Sequence, residues 1–261
     1  MGASGKAKIG VVAVPFITNE FQFNVAARTV VSLLAHQIEH DLELIAVVNS
    51  IRTGQPHFDW FKRSFDVCEV NDRNILARGW NRGIDIAFAR GADYCLVINL
   101  DLVFHPRFID NLVEFARQNP DALMWSGVPW QEEETLANAD LSGPPIGLAH
   151  FHCFMIDRRL FELVGRFDEQ FEPAYHEDSD MIYRMRLKGA RHLATPSARI
   201  FHHDRITLKG AMMDRNDELL IGLRAMMNLS MERYKAKWGG LPGEEQFTAP
   251  YNGALPVDVK K

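Results

Sequence analysis

Apolar and polar positions along the chain fall into repeating strand-and-helix pairs. Lys8 to Val14 (KIGVVAV) is a short β-branched run ending at Pro15. Behind it Val25, Ala26, Val30, Leu33 and Leu34 recur at helical spacing within Phe23 to Ala35, so a strand and then a helix are predicted. Leu42 to Val48 (LELIAVV) reads as a second strand, Val67 to Val70 as a third, and Asn74 to Arg90 as a helix stopped by Gly91. Tyr94 to Asn99 is the next strand, Pro106 to Gln118 a helix, and Ala122 to Ser126 a strand. Val128 to Gly147, rich in acid, Gly and Pro, is expected to be a long loop. Leu148 to Ile156 reads as a strand, Glu177 to Lys188 as a helix closed by Gly189, and Ala198 to His202 as the last strand. A helix over Asp214 to Lys237 and a Gly/Pro-rich tail finish the chain.

Strands apolar on both faces that alternate with helices predict an α/β fold, with a mostly parallel central sheet flanked by helices. Ligands of such sheets sit beyond the carboxyl ends of the strands. Asp101 ends the run YCLVINLD at such a place, where an unpaired buried carboxylate would be costly. A turn or helix-cap role for it stays open at this point.

The chain has 261 residues, 47% hydrophobic and 24% charged, with a formal charge of -5, which suits a globular protein and gives no general basic surface for nucleic acid or anionic membrane. No run of about 18 apolar residues is present to form an integral membrane segment. The start, MGASGKAKIG, lacks the apolar stretch of a secretory leader. Cys68, Cys95 and Cys153 stand far apart with no CxxC pair, as expected of reduced core thiols in a cytoplasmic protein. Residues 1–7 are expected to be a flexible start, 8–210 one domain, and 211–261 a helix and tail packed on it.

Three groupings could carry chemistry. Asn99 and Asp101 share one side of an extended segment and offer oxygens to a hard cation or a ribose. Glu177, Asp178 and Asp180 crowd the start of a helix, where capping is the plain alternative. His202 and His203 follow a short strand, and a surface or satisfied core position is their alternative. Jointly they suggest one metal and acid/base site. A divalent ion on Asp101 and His202 would leave positions open for a diphosphate, with Asp178 to deprotonate an incoming hydroxyl.

In this order the motifs resemble the GT-A-fold (Rossmann-like) glycosyltransferases, and more narrowly glycosyltransferase family 2, over about Lys8 to Asp204. Val14-Pro15-Phe16 looks like the family's opening, where Pro15 and Phe16 would touch the nucleobase. Val47-Val48-Asn49-Ser50 resembles the V-D-N-G-S signature, with Asn49 in place of the base-reading acid. Arg78-Gly79-Trp80-Asn81-Arg82-Gly83-Ile84 is similar to A-x-N-x-G-I, which puts Arg78 and Asn81 beside the donor. Asn99-Leu100-Asp101 occupies the DxD position, although Asn99 departs from the Asp of many relatives and lowers the charge of the site. Val164-Gly165-Arg166-Phe167-Asp168-Glu169 looks like G-x-F-D-E. Glu177-Asp178-Ser179-Asp180 with Arg184 resembles E-D-x-D...R, in which Asp178 is the expected base beside Glu177. Pro196-x-Ala198-x-Ile200-x-His202 is similar to the strand whose histidine completes the metal site.

The resemblance implies a nucleotide-sugar half over about 8–105 and an acceptor half over about 106–210. It implies Mn²⁺ or Mg²⁺ as cofactor and a UDP-, GDP- or dTDP-linked sugar as donor, with inverting transfer to an acceptor hydroxyl. Trp130, His150 and His152 flank the long loop on the side expected for the acceptor, whose nature (protein, glycan or modified nucleobase) stays open. The tail Lys237-Trp238-Gly239-Gly240 looks like tails of bacterial and phage-encoded members, and either a lid or a surface tail with Trp238 in a crevice is expected. Met212, Met213, Met226, Met227 and Met231 suggest core or a homodimer face. Two rivals stand beside transfer. A nucleotidyltransferase lacks support because Pro15 to Asn19 has no glycine for a triphosphate loop, whereas a nucleotide-sugar binder without catalysis is suggested by Asn99.

Overall fold

A computed structural model describes residues 5–49, 56–147, 150–203, 206–213 and 217–254. Its strands are β1 (Lys8–Ala13), β2 (Asp41–Val48), β3 (Val67–Val70), β4 (Tyr94–Ile98), β5 (Leu102–Phe104), β6 (Ala122–Trp130), β7 (Cys153–Ile156) and β8 (Arg191–His202). The helices are α1 (Glu20–Leu34), α2 (Pro56–Ser64), α3 (Leu76–Ala89), α4 (Phe108–Gln118), α5 (Arg158–Val164), α6 (Glu177–Leu187), α7 (Ile206–Met213) and α8 (Asp217–Trp238). One eight-stranded sheet runs in the order β3-β2-β1-β4-β7-β6-β8-β5. The pairs β1–β2, β1–β4, β2–β3 and β6–β8 are parallel, whereas β7 and β5 run against their neighbours.

Alternate residues of the central strands enter two cores. Val11, Ala13, Leu44, Ala46, Leu96 and Ile98 pack under α1, α2 and α4, while Val12, Ile45, Val47, Cys95 and Val97 meet α3, α5 and α6. Both faces are covered, which is why these strands lack an alternating polar face. Helix α3 lies very close to β1: a Cβ on Gly83 would come within 2.3 Å of Val12 Cγ1, and one on Gly79 within 2.6 Å of Val14 Cγ1. The two glycines of the RGWNRG stretch therefore serve helix-to-sheet contact.

A short connection forces the sheet to curl. Between β4 and β5 lie four strand spacings in the sheet order, roughly 19 Å if flat. The chain from Ile98 to Leu102 can span only about 14 Å. The curl arises where the β6–β8 ladder breaks, since Gly127 pairs with Thr195 but Val128 with Arg199. Pro196, Ser197 and Ala198 bulge out of β8 at that break, as extra residues do when a strand must bend. Gly127 gives them room, because a Cβ there would sit 2.4 Å from the Ala198 carbonyl oxygen and 2.6 Å from Phe108 Cε2. The bulge is pinned by Asn111 Nδ2 donating to Ser197 O at 2.5 Å and by the Thr195 and Ser197 hydroxyls at 2.8 Å. Beyond it the end of β8 pairs with β5, Leu102 opposite His202. The outer N–H groups of this edge strand are capped from α1, Leu102 N by Thr29 Oγ1 at 3.0 Å and Phe104 N by Ser32 Oγ at 3.2 Å.

Several expectations need correction. Residues 128–130 continue β6, and Glu133–Asn138 form a 3₁₀ turn, so the expected loop over 128–147 is shorter and partly structured. The strand expected from Leu148 begins only at Cys153, with 148 and 149 outside the described residues; Phe151 and His152 form the turn into it. Strand β8 starts at Arg191 rather than Ala198, because the interrupting Pro196 sits in the bulge. The last helix is described from Asp217, with 214–216 outside the described residues. Among the described residues no helix is long and apolar enough to cross a membrane.

Replacing Gly127 by Ala is expected to lower stability by about 1–3 kcal/mol, the usual range for overpacking against unyielding neighbours. Gly222→Ala in α8, where a Cβ meets nothing within 4 Å, is expected to be neutral or to stabilise by up to about 1 kcal/mol. Urea unfolding of both variants checks the contrast.

Candidate active site

Strand direction gathers the singled-out residues at one rim. β6 and β8 run parallel to β4, and β7 runs against it, so the ends of β4, β6 and β8 and the start of β7 share an edge. Asn99, Asp101, Trp130, His150, His152 and His202 all lie there. α6 leads through Gly189 into the start of β8, so its first residues, Glu177 and Asp178, point back toward the same rim.

At the centre, Asp101 Oδ2 lies 3.2 Å from His202 Nε2. The other oxygen, Oδ1, is buried with no hydrogen-bond partner. The loop carrying the carboxylate is held by two backbone bonds, Asn99 N donating to His152 O at 2.8 Å and His203 N donating to Asp101 O at 2.9 Å. The His152 ring stacks on His202 at 4.8 Å, and His150 lies 5.2 Å from His152. Burial, followed by the neighbouring imidazoles, pushes His152 down to about 3, and burial also lowers His150. Both rings are therefore neutral near pH 7. Trp130, at the end of β6, has its indole N–H on Thr135 Oγ1 at 2.8 Å and the Arg199 guanidinium 5.3 Å over its ring.

The acids of α6 meet three different fates. Asp180 is fully buried and saturated, accepting from Arg184 Nε at 2.8 Å and Trp238 Nε1 at 2.9 Å and pairing with Lys237 Nζ at 2.6 Å. Glu177 is only 4% exposed, and its Oε2 has no partner. Burial first, and then the charge of Asp178, push its carboxyl up to about 8. Asp178 remains partly accessible, with Oδ1 accepting from Ser179 N at 2.7 Å. The turn before them is unusual: Tyr175 and His176 both adopt positive φ, 78° and 68°, which is uncommon for side-chain-bearing residues and marks a constrained segment.

The remaining candidates form a second group along the same edge. Asn49 N donates to Pro15 O at 3.0 Å, and the Asn49 side-chain oxygen accepts from Asn71 Nδ2 at 2.6 Å. Asn71 follows β3 and was not singled out by sequence, although a polar residue just past a strand end is the signal that could have found it. Phe16 is half-buried beside Pro15. Arg78 pairs with Asp72 at 2.8 Å and Glu169 at 3.6 Å, on the wall of a cleft of about 410 Å³ that Asn71 and Asn81 also line. The buried amide of Asn81 clamps the backbone of Phe167, accepting from its N at 3.0 Å and donating to its O at 2.8 Å. No direct contact joins this group, or Asp178, to Asp101 among the described residues.

A buried carboxylate oxygen without a partner, beside an imidazole nitrogen, is a donor set that suits a hard divalent ion. Among the described residues no cluster of three or more His, Cys, Asp or Glu side chains could hold a metal by itself. Asp101 and His202 bring two such side chains together, 3.2 Å apart.

In α/β sheets of this kind ligands sit beyond the carboxyl ends of the strands, the edge at which these polar side chains gather. Residues 12–171 match the family model described as glycosyl transferase family 2, more than half of the chain, and the chain belongs to that family. Over 79 residues it is 32% identical to N-acetylglucosaminyl-diphospho-decaprenol L-rhamnosyltransferase of Mycobacterium tuberculosis, from strains CDC 1551 / Oshkosh and ATCC 25618 / H37Rv. That stretch is 30% of this chain and spans a quarter, 25%, of those relatives. The crystal structure of GalNAc-T7 with UDP, GalNAc and Mn²⁺ superposes with a TM-score of 0.61 over 77% of this chain and 44% of that one. At 13% identity this is a likeness of fold, and the fold is GT-A.

Glu177 gives the site a measurable pH signature. Its carboxyl holds a proton more tightly in the fold than in the unfolded chain, so its contribution is fully present below about pH 4.5 and is lost as pH rises toward 8. Glu177→Gln is expected to remove that slope, which is at most ~1.4 kcal/mol per pH unit, and to be more stable than the parent at pH 8. Denaturant melts from pH 5 to pH 8 check it.

Proposed function

We propose that this protein transfers a sugar from a nucleotide diphosphate sugar to an acceptor hydroxyl, inverting the anomeric carbon, with Asp178 as the base. The observation that carries the reading is the Asp101–His202 pair at the sheet rim, with one carboxylate oxygen bonded to the imidazole at 3.2 Å and the other left without a partner. Family membership over residues 12–171 supports it. Asp101 and His202 would hold Mn²⁺ or Mg²⁺, with Asn99 beside them as a neutral donor. When bound, such an ion neutralises the donor diphosphate and stabilises it as a leaving group.

The chain's own residues supply the rest. Pro15, Phe16, Asn49 and Arg78, on the β1–β2–α3 side, receive the nucleoside, with Asn81 keeping the adjoining Phe167 segment in place. Asp178 takes the proton of the acceptor hydroxyl while its oxygen attacks the anomeric carbon. The bond to the diphosphate breaks on the opposite face, and the nucleoside diphosphate departs with the electron pair. The Ser179 N–H, donating to Asp178 Oδ1 at 2.7 Å, fixes the carboxylate's orientation. Glu177, protonated up to about pH 8, lies next to the base without adding a second negative charge. His150, His152 and Trp130 take the acceptor side.

Asp178→Asn is expected to lower turnover by about 10²–10⁴-fold, the span of general base catalysis, while donor binding persists. A panel of UDP-, GDP- and dTDP-sugars with Mn²⁺, screened by thermal shift and then by nucleoside diphosphate release, identifies the donor and measures the loss. Unchanged turnover in the variant would sink the base assignment, and binding without any release would favour a non-catalytic sugar-nucleotide receptor.

A further inference from the structure

The C-terminal end of α8 reaches into the acid cluster of α6. Lys237 is 4% exposed, and its ammonium lies 2.6 Å from both Asp168 Oδ2 and Asp180 Oδ1. Asp168 belongs to the Phe167-Asp168-Glu169 segment, and Asp180 to the first turn of α6. Burial alone would raise the Asp168 carboxyl, yet the ammonium, with the Gln170 N–H groups, holds it below its ordinary range. Trp238, 1% exposed, donates Nε1 to the same Asp180 oxygen at 2.9 Å and packs edge-on against Tyr183 at 4.8 Å.

The chain after Trp238 locks this contact from outside. Gln246 N and Phe247 N both donate to Trp238 O at 3.0 Å, and Tyr183 Oη donates to Phe247 O at 2.8 Å. Gly239 takes φ +77°, and a Cβ on Gly240 would strike Glu244 O at 2.0 Å, so the Gly-Gly pair is what permits the reversal. Tyr251 then hydrogen-bonds Gln170, itself bonded to Asp168. Over its described residues, to 254, the tail is a strap along α6 with Trp238 buried against it.

We infer that Lys237, with Trp238, is a positioning element for Asp178: it joins the Asp168 segment to the first turn of α6 by sharing one cation between the buried Asp180 carboxylate and the half-buried one of Asp168. The inference rests on the reading of Asp178 as the base. Asp180 N donates to His176 O at 2.9 Å, so Asp180 is part of the turn that carries Glu177 and Asp178. Without the ammonium, Asp168 and Asp180 repel each other and the turn shifts. A displacement of about 1 Å in a catalytic group is enough to cost ~10² in rate. The family match ends at residue 171, so neither Lys237 nor Trp238 falls within it.

The test is hydrogen exchange on the full chain, joined to turnover with the donor that the panel selects. In Lys237→Met, amides 177–181 are expected to exchange at least ~10-fold faster while those of β1 and β4 are unchanged. The kcat is expected to fall at least ~10-fold, with donor KM within about two-fold. Adding Asp168→Asn to Lys237→Met removes the repulsion, and the double variant is expected to recover most of the lost protection and rate. A role in packing alone gives no such recovery, so its absence overturns the inference, as does Lys237→Met exchanging at 177–181 within about two-fold of the parent. If Lys237→Met does not fold, Trp238→Phe, which deletes one donor to Asp180, is expected to show the same split between kcat and KM, and a parental kcat overturns it. If Asp178→Asn leaves turnover intact, the base reading falls while the exchange arm still decides the coupling.

Discussion

The approach of the Ala198 carbonyl to Gly127 is the contact on which the rest of the site depends. It lets three residues bulge from β8, and the bulge bends the sheet until the end of β8 stands over the end of β4. A flat sheet of this strand order would leave β4 and β5 too far apart for the Asn99-Leu100-Asp101 connection. With the curl in place, Leu102 pairs with His202, and Asp101 meets the imidazole at 3.2 Å. A carboxylate that would be costly in an apolar strand is thereby given one partner and an oriented open oxygen.

The same economy of charge governs α6. Three acids in its first turn would repel one another, and the structure separates them by environment. Asp180 is paired with Lys237 and Arg184, Glu177 is driven by burial toward its protonated form, and Asp178 stays partly accessible. The strap beyond Trp238 holds the arrangement from outside the sheet.

Much of this was legible in the sequence. The β-branched runs at Lys8, Leu42 and Tyr94 and the helical spacing after them are governed by burial of both sheet faces, a local signal. The rim position of Asp101 and its convergence with His202 followed from motif order and the resemblance to family 2. What escaped detection depends on long-range contact. Strand β5 is only three residues long, and its partner lies about a hundred positions away. Helix α5 has seven residues, too few to show a periodicity, and α2 and α7 sit beside stretches without a clear apolar face. Gly127 fell between the strand expected to end at Ser126 and the loop expected from Val128, and β8 was expected only from Ala198, because the bulge that joins them is a tertiary event. The pairing of Asp180 with Lys237 spans more than fifty residues, and no local spacing announces it.

The central claim, that Asp101 and His202 make an ion site completed by a donor diphosphate, is tested most directly by titrating Mn²⁺ into the protein under paramagnetic resonance detection, with and without UDP. The free-ion signal should fall far more steeply when UDP is present, and the Asp101→Ala and His202→Ala variants should each lose that cooperation. Mn²⁺ uptake that ignores UDP, or that persists unchanged in both variants, would contradict the account.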